Sequence, residues 1–205
     1  MRTLFAIAAA LLASSCISVL PKGRAPAARY EIADVKADLA APAPVSWTLA
    51  VDEPDATLAF NTAKIALSRA PSQIEYYAGG EWVDRAPRLF GAALIRSFEN
   101  TGRIVGVGSR QTLPSSTYVL QTDIRKFVID HNGGALSANV SVFARLVTKR
   151  GKIAASRLFR ASEEVSSDTA NASAEALVRA AIRVEDEIVH WTFEESSKAE
   201  AAKAQ

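Results

Sequence analysis

The chain has 205 residues and a nearly balanced charge, with 24 lysines and arginines against 22 aspartates and glutamates. A net charge of +2 gives no reason to expect a nucleic acid as a partner, since nucleic-acid-binding domains carry a strongly basic face. The single cysteine excludes an internal disulfide, and the length is sufficient for one domain with a substantial core.

The N-terminus has the layout of a bacterial secretion signal that ends in a lipidated cysteine. A short basic start precedes an apolar run over residues 4–13, which is too short to span a hydrocarbon core ~30 Å thick. The sequence Leu-Ala-Ser-Ser-Cys at residues 12–16 then resembles a lipobox. We predict that residues 1–15 are a removed signal peptide and that Cys16 carries the lipid anchor. A buried structural thiol is the alternative interpretation of Cys16.

The segment after the cysteine has the composition of a linker, with proline, glycine, alanine and basic residues. We interpret residues 16–29 as the lipidated cysteine and a flexible tether with a reach of roughly 20 Å. Lys22, Arg24 and Arg29 either contact anionic headgroups or are simply solvated. In lipoproteins generally, an aspartate after the cysteine is associated with inner-membrane retention. Ile17 at this position therefore favours the outer membrane.

A single folded domain is predicted over residues 30–195. Its first elements are short strands at 30–35 and 46–51, followed by a hairpin of strands 62–68 and 73–77 that ends at Ala78-Gly79-Gly80.

The first helix has clear signals at both ends. Asp84 is the predicted N-cap, Pro87 falls in the first turn, and Gly102 lies where a C-terminal cap belongs. A strand at 104–107 follows and completes a strand–helix–strand unit.

Three longer strands are predicted next, at 118–130, 136–148 and 153–161. The His-Asn-Gly-Gly sequence at 131–134 is typical of a hairpin turn, because asparagine and glycine accept positive φ. The apolar alternation of the first strand slips between Ile124 and Phe127, which predicts a β-bulge.

A long terminal helix is predicted from about residue 169 to 193, with capping candidates at 166–168. Residues 196–205 have the composition of a disordered tail. Together these elements predict an α+β fold in which a mixed sheet is covered by two helices.

No catalytic, cofactor-binding or metal-binding residue is assigned. His131 lies in a predicted turn and His190 near the end of a helix, and we interpret both as structural rather than as zinc ligands. Gly102, Gly106 and Gly108 follow a helix instead of opening one, so they do not predict a phosphate site. No nucleophile elbow occurs in the sequence.

Two surface features have more than one interpretation. Basic residues along the last hairpin either meet an acidic partner or lipid headgroup, or solvate an exposed edge. They are Arg145, Lys149, Arg150, Lys152, Arg157 and Arg160. Core packing is the favoured role for Tyr76, Tyr77 and Trp82, and Glu163-Glu164 is expected to be exposed charge.

The order of features resembles the auxiliary lipoproteins of ABC-type transport systems, the family of the paraquat-inducible PqiC lipoprotein. The matching features are Leu20-Pro21 after Cys16, Tyr30, the hairpin 63–77, Trp82 five residues before Pro87, Thr101-Gly102, the strands 118–130 and 138–146, and Ala176-Leu177 in the last helix.

This resemblance implies a fold similar to the N-terminal domain of TolB and a non-catalytic, membrane-anchored adaptor in envelope lipid trafficking. Its implied partners are an MCE-domain protein, an inner-membrane permease and an ATPase, with phospholipid as a further ligand. A homo-oligomer is left open. The alternatives are an envelope-assembly lipoprotein with a different protein client and a periplasmic enzyme, for which the sequence offers no candidate residues.

Overall fold

The computed structural model describes residues 27–36, 44–132 and 134–203. Within them the strands are β1 Ala28–Tyr30, β2 Val45–Val51, β3 Asp55–Ala56, β4 Lys64–Ser68, β5 Glu75–Trp82, β6 Ile104–Ser109, β7 Tyr118–Asn132, β8 Ala135–Thr148 and β9 Ile153–Glu164, and the helices are α1 Ala86–Asn100 and α2 Ala170–Lys203. The predicted signal peptide, Cys16 and the tether up to residue 26 lie outside the described residues.

The strands form one mixed sheet centred on β7, which confirms the predicted α+β class. One edge of β7 pairs antiparallel with β8, which in turn pairs antiparallel with β9. The other edge of β7 pairs in succession with β2, β3 and β4, all parallel. Beyond these, β6 lies beside β2, while β5 lies beside β4 and is flanked by β1.

The predicted bulge in β7 is present. The register against β8 shifts between Ile124 and Lys126, so that one extra residue separates two core positions. Ile124 and Phe127 are both buried as a result. Because side chains alternate along a strand, Phe127 could not share the core face with Ile124 without this shift.

The two helices pack against the sheet and against each other. The α2 stripe is built largely from small residues, which allow the helix to approach the strands closely. Its fully buried members include Ala174, Ala176, Leu177, Ala180, Ala181, Val184 and Ile188. Aromatic contacts join the layers, since Phe193 of α2 lies 5.5 Å from Trp47 of β2 and 6.1 Å from Phe98 of α1 between ring centroids.

The predicted start and end signals of α1 are confirmed for Pro87 and Gly102 but not for the N-cap residue. Pro87 lies at the start of the helix, and Gly102 has a φ of 61° just beyond its end. Arg85 occupies the N-cap position and makes no side-chain cap. Asp84, predicted to be the N-cap, instead accepts a hydrogen bond from the Arg85 amide at 2.7 Å.

Three predicted boundaries at the start of the domain were wrong. Ala28 and Arg29 belong to β1 and not to the tether, and residues 31–36 have no regular secondary structure. β5 continues through the glycine pair to Trp82 instead of ending there.

The predicted disordered tail is also corrected, because α2 continues to Lys203. Ser196 is fully buried, and its hydroxyl donates to the Phe193 carbonyl oxygen at 3.0 Å. Lys198 pairs with Glu194 and Glu195 at 2.8 and 2.9 Å. Such pairs three and four residues apart are those that support a helix surface.

Candidate functional site

The segment that follows β1 is held against α1, and we call residues 31–36 the strap. Ile32 is fully buried, and its carbonyl oxygen accepts a hydrogen bond from Arg96 Nη2 at 3.2 Å. The amide of Val35 donates to Ser97 Oγ at 2.9 Å, and its carbonyl oxygen accepts from Asn100 Nδ2 at 2.9 Å. Three backbone groups of the strap are therefore satisfied by side chains of one helix face rather than by a neighbouring strand.

Asp34 is the charged contact of the strap. Its carboxylate accepts from Arg96 Nε at 3.0 Å and from Asn100 Nδ2 at 2.6 Å. The hydrogen bond from Arg96 is the main cause that holds the pKa of Asp34 below its usual range. Arg96 and Asn100 are four residues apart and so lie on the same face of α1, which is why one carboxylate reaches both.

A buried acid lies beneath the strap, at the contact between the two helices. Glu185 of α2 is fully buried, and its Oε2 accepts a hydrogen bond from Ser97 Oγ at 3.3 Å. Burial raises the pKa of Glu185 well above its usual range. Ser97 thus contacts the strap and α2 at the same time, through the Val35 amide and the Glu185 carboxyl.

A cleft lies elsewhere on the molecule, between the β8–β9 turn and the last turns of α2. Its volume is about 850 Å³. The lining residues are Thr117, Thr148, Lys149, Arg150, Lys152, Ile153, Ala154, Glu195, Lys198, Ala199 and Ala202. Aliphatic groups form most of its wall, and Ile153 leaves 53% of its surface exposed there.

A polar cluster joins three segments at the far end of the sheet. Arg69, after β4, pairs with Asp168 at 2.8 Å, and its Nη1 lies 3.2 Å from His131 Nδ1. The Tyr77 hydroxyl donates to the other oxygen of Asp168 at 2.8 Å. Hydrogen bonds from Arg69 and then Tyr77 lower the pKa of Asp168. The cluster fastens the start of α2 to the β4–β5 and β7–β8 hairpins.

The two histidines are not brought together. His131 belongs to the polar cluster, whereas His190 is exposed on α2, with Nδ1 2.9 Å from the Asp186 carbonyl oxygen. Across the part of the chain that the structure describes, no group of three or more histidine, cysteine, aspartate or glutamate side chains is placed to hold a metal ion. Nor does any described helix have the length and hydropathy needed to cross a membrane.

The basic residues of the last hairpin divide into separate groups rather than forming one patch. Lys149, Arg150 and Lys152 lie at the turn and line the cleft. The guanidinium of Arg145 lies 4.6 Å from the centroid of the Phe143 ring, and that of Arg157 lies 5.1 Å from the Phe159 ring. Such contacts are cation–π interactions. Arg160 is exposed on β9.

The aromatic residues near the glycine pair and the acidic pair at the end of β9 differ in their burial and contacts. Trp82 is 1% exposed and packs edge-on against Phe127, as a core residue does. Tyr77 is half-buried in the polar cluster, and Tyr76 is exposed. Glu163 was expected to be exposed charge but pairs with Arg183 at 2.7 Å and with Arg179 at 3.8 Å.

Sequence reasoning missed both the strap and the cleft. The strap depends on hydrogen bonds between residues more than 60 positions apart, such as Asp34 and Arg96. The sequence contains one local signal for the cleft. An isoleucine directly follows the basic turn at 149–152 and occupies an exposed strand position.

Most of the chain matches one known protein family. Residues 30–189 match the family described as the ABC-type transport auxiliary lipoprotein component. The chain belongs to this family. Its members are auxiliary lipoproteins of ABC-type transport, which places them in the cell envelope.

Individual relatives agree with the family assignment. A protein of Xanthomonas campestris from the DUF330 family has a crystal structure that matches with a TM-score of 0.79 and 28% identity, covering 85% of this chain and 99% of that one. A second solved structure matches with a TM-score of 0.64 at 13% identity, covering 80% and 97%, and shows the fold alone.

An uncharacterized protein of Bradyrhizobium diazoefficiens is 32% identical over 148 residues, which is 72% of this chain. The matched region spans 40% of that relative's length.

Proposed function

We propose that this protein is a non-catalytic adaptor of an ABC-type system that moves lipid through the cell envelope. The observation that carries the proposal is the family match over residues 30–189, which spans every described strand and helix except the first two residues of β1 and the end of α2. In this role an ATPase subunit hydrolyses ATP beneath an inner-membrane permease. The chain itself positions an MCE-domain protein relative to a membrane.

The strap supports an adaptor role mechanically. It directly follows β1, the first described element after the predicted anchor at Cys16, and β1 itself pairs with β5. The hydrogen bonds that the strap makes with Arg96, Ser97 and Asn100 connect residues 31–36 to the contact between the two helices. A pull on the anchor would therefore act first on the pairing of β1 with β5, and the strap provides a second attachment directly behind it.

Membrane attachment in this proposal depends on Cys16, with residues 1–15 removed and the lipid facing the periplasm from the outer membrane. Two or more acyl chains give stable attachment, whereas one chain gives only reversible binding. Metabolic labelling with an alkynyl fatty acid should mark the full-length protein and not a Cys16→Ala form. Fractionation should then find the labelled protein with outer-membrane markers. Labelling that survives in Cys16→Ala would contradict the proposed anchor.

The partner assignment is tested by co-purification. The full-length lipidated protein is isolated from envelopes in a mild detergent, beside an untagged strain and the Cys16→Ala form, and bound proteins are identified by mass spectrometry. Enrichment of an MCE-domain protein, permease or ATPase is the expected result. Enrichment of outer-membrane assembly proteins in their place would favour the envelope-assembly role and reject the transport role.

A further inference from the structure

The cleft between the β8–β9 turn and the end of α2 combines an aliphatic wall with a basic rim. Ile153, Ala199 and Ala202 supply the wall from two different elements. The stems of lysine and arginine side chains extend such a surface while their charged ends reach water. A large aliphatic side chain that faces a cleft and is 53% exposed has surface available for an apolar ligand.

The charges around the cleft are not balanced. Glu195 accepts a hydrogen bond from Lys198 at 2.9 Å, so the acid that lines the cleft is already paired with a cation that lines it. Among the described residues, Lys149, Arg150 and Lys152 have no ion-pair partner within 4.0 Å, and all three are exposed. Three uncompensated cations at one mouth favour a ligand with an anionic group.

From this arrangement we infer that the cleft binds an anionic phospholipid, with part of an acyl chain along Ile153 and Ala199 and the phosphate at Lys149, Arg150 and Lys152. The volume of about 850 Å³ lies within the ~300–1,000 Å³ of ordinary small-molecule sites. A water-soluble phosphate would use the rim but not the wall, and a neutral fatty chain would use the wall but not the rim. The inference deepens the proposed role in lipid traffic and rests on it.

The test uses full-length lipidated protein in mild detergent, mixed with micelles that contain equal amounts of phosphatidylglycerol and phosphatidylcholine with the same acyl chains. A photoreactive amino acid replaces Ile153 in one sample. In the matched control it replaces Val105, which is another exposed β-branched residue on an edge strand, 74% exposed in β6. After irradiation, mass spectrometry measures the amount of each lipid attached to each position.

Phosphatidylglycerol should label position 153 about fivefold or more above position 105 and above phosphatidylcholine, because each basic residue near an anionic lipid contributes roughly that factor. Ala199→Trp, which fills the cleft from the side of α2, should abolish the excess. Replacing Lys149, Arg150 and Lys152 by glutamate should remove the preference for phosphatidylglycerol. Circular dichroism of each variant confirms that the fold is retained.

Equal labelling at the two positions would overturn the inference, because it would show only a general contact with micelles. Labelling that survives Ala199→Trp, or crosslinks from position 153 to a peptide in place of lipid, would overturn it as well. If the co-purification experiment recovers a permease but position 153 is not labelled by lipid, the cleft is rejected as a lipid site and the adaptor role is retained. If position 153 is labelled by lipid but no transport partner co-purifies, the cleft is retained as a lipid site and the transport role is rejected.

Discussion

At the scale of single residues, two neighbouring glycines in β5 differ in the space around them. A Cβ atom added to Gly80 would lie 2.8 Å from Cβ of Ala170 and 2.8 Å from Cε2 of Tyr30. A Cβ atom on Gly79 would meet nothing within 4 Å. Gly80 is therefore the point at which β1, β5 and the start of α2 approach one another.

We expect Gly80→Ala to destabilise the fold by about 1–3 kcal/mol, as overpacking of a close contact does. Gly79→Ala is the matched control and should change the free energy of unfolding by no more than about 0.5 kcal/mol. Denaturant unfolding of both variants checks this. Equal stability of the two would show that the close approach at Gly80 is easily relieved.

Glu185 is the other residue whose surroundings make a definite prediction. Its raised pKa means that the folded chain keeps a proton that the unfolded chain releases. Stability from this group is complete below the usual pKa of glutamate. It declines as pH rises through the window between that value and the raised pKa of the folded state.

Glu185→Gln removes the titrating group, so its unfolding free energy should depend less on pH than that of the wild type. At pH 8 the variant should be the more stable of the two, with a Tm higher by ~2–4 °C for each kcal/mol recovered. Thermal unfolding from pH 4 to 8 gives the comparison. Glu187→Gln, at an exposed position of the same helix, is the matched control for the substitution itself. A wild-type slope in Glu185→Gln would contradict the account.

At the scale of elements, the strap is a short segment held mainly by side chains of α1. We expect Asp34→Ala to loosen it locally, because the carboxylate joins Arg96 and Asn100. Amide exchange over residues 31–36, including the Val35 amide bonded to Ser97, should become faster by about tenfold, which corresponds to ~1.4 kcal/mol. Hydrogen–deuterium exchange with mass spectrometry measures this.

Asp84→Ala is the control for the strap, since Asp84 pairs with Arg88 at 3.3 Å near the start of α1 and does not touch the strap. It should leave exchange over residues 31–36 unchanged. Unaltered exchange in Asp34→Ala would show that Ile32 burial alone holds the segment.

The last turns of α2 supply a second prediction for an element. Ending the chain at Glu195 removes buried Ser196, the inward-packed Ala199 and the Glu200 partner of the Tyr118 hydroxyl. We expect a loss of about 1–2 kcal/mol, or a Tm lower by roughly 2–8 °C. Ending the chain at Lys203 should have no effect. An unchanged Tm in the shorter form would restore the interpretation of residues 196–205 as a dispensable tail.

These elements also show which features a sequence can predict. The alternation in β8 and the phase slip in β7 are local patterns, and the strands and bulge follow from them. The tail was mispredicted because its composition of alanine, lysine and glutamate is typical both of disorder and of a solvated helix. Only the buried Ser196 and the packing of Ala199 distinguish the two, and these depend on tertiary contacts.

The candidate site was less predictable than the fold for the same reason. Cys16 is predicted by a local motif and remains a prediction, whereas Asp34 meets Arg96 only after the chain has folded. The basic turn at 149–152 was recognised in the sequence. The cleft, however, forms only where this turn meets Ala199 of α2, which lies nearly 50 residues further along the chain.

At the scale of the whole molecule, three parts of the chain act together in the proposed role. The proposed anchor at Cys16 would hold the protein to a membrane through β1, the strap after β1 fastens the start of the domain to the contact between α1 and α2, and the cleft lies beside the far end of α2. An adaptor of this kind contributes position and ligand transfer, while the energy comes from a different subunit. Its loss should therefore impair transport without altering ATP hydrolysis by the isolated permease–ATPase complex.

The most direct test measures the exchange of radiolabelled phospholipid between the inner and outer membranes of cells that lack this chain. We predict slower exchange in those cells, recovery with the wild-type chain, and no recovery with a Cys16→Ala form that is present in equal amount. An exchange rate in the deleted cells equal to that of wild-type cells would contradict the proposed function.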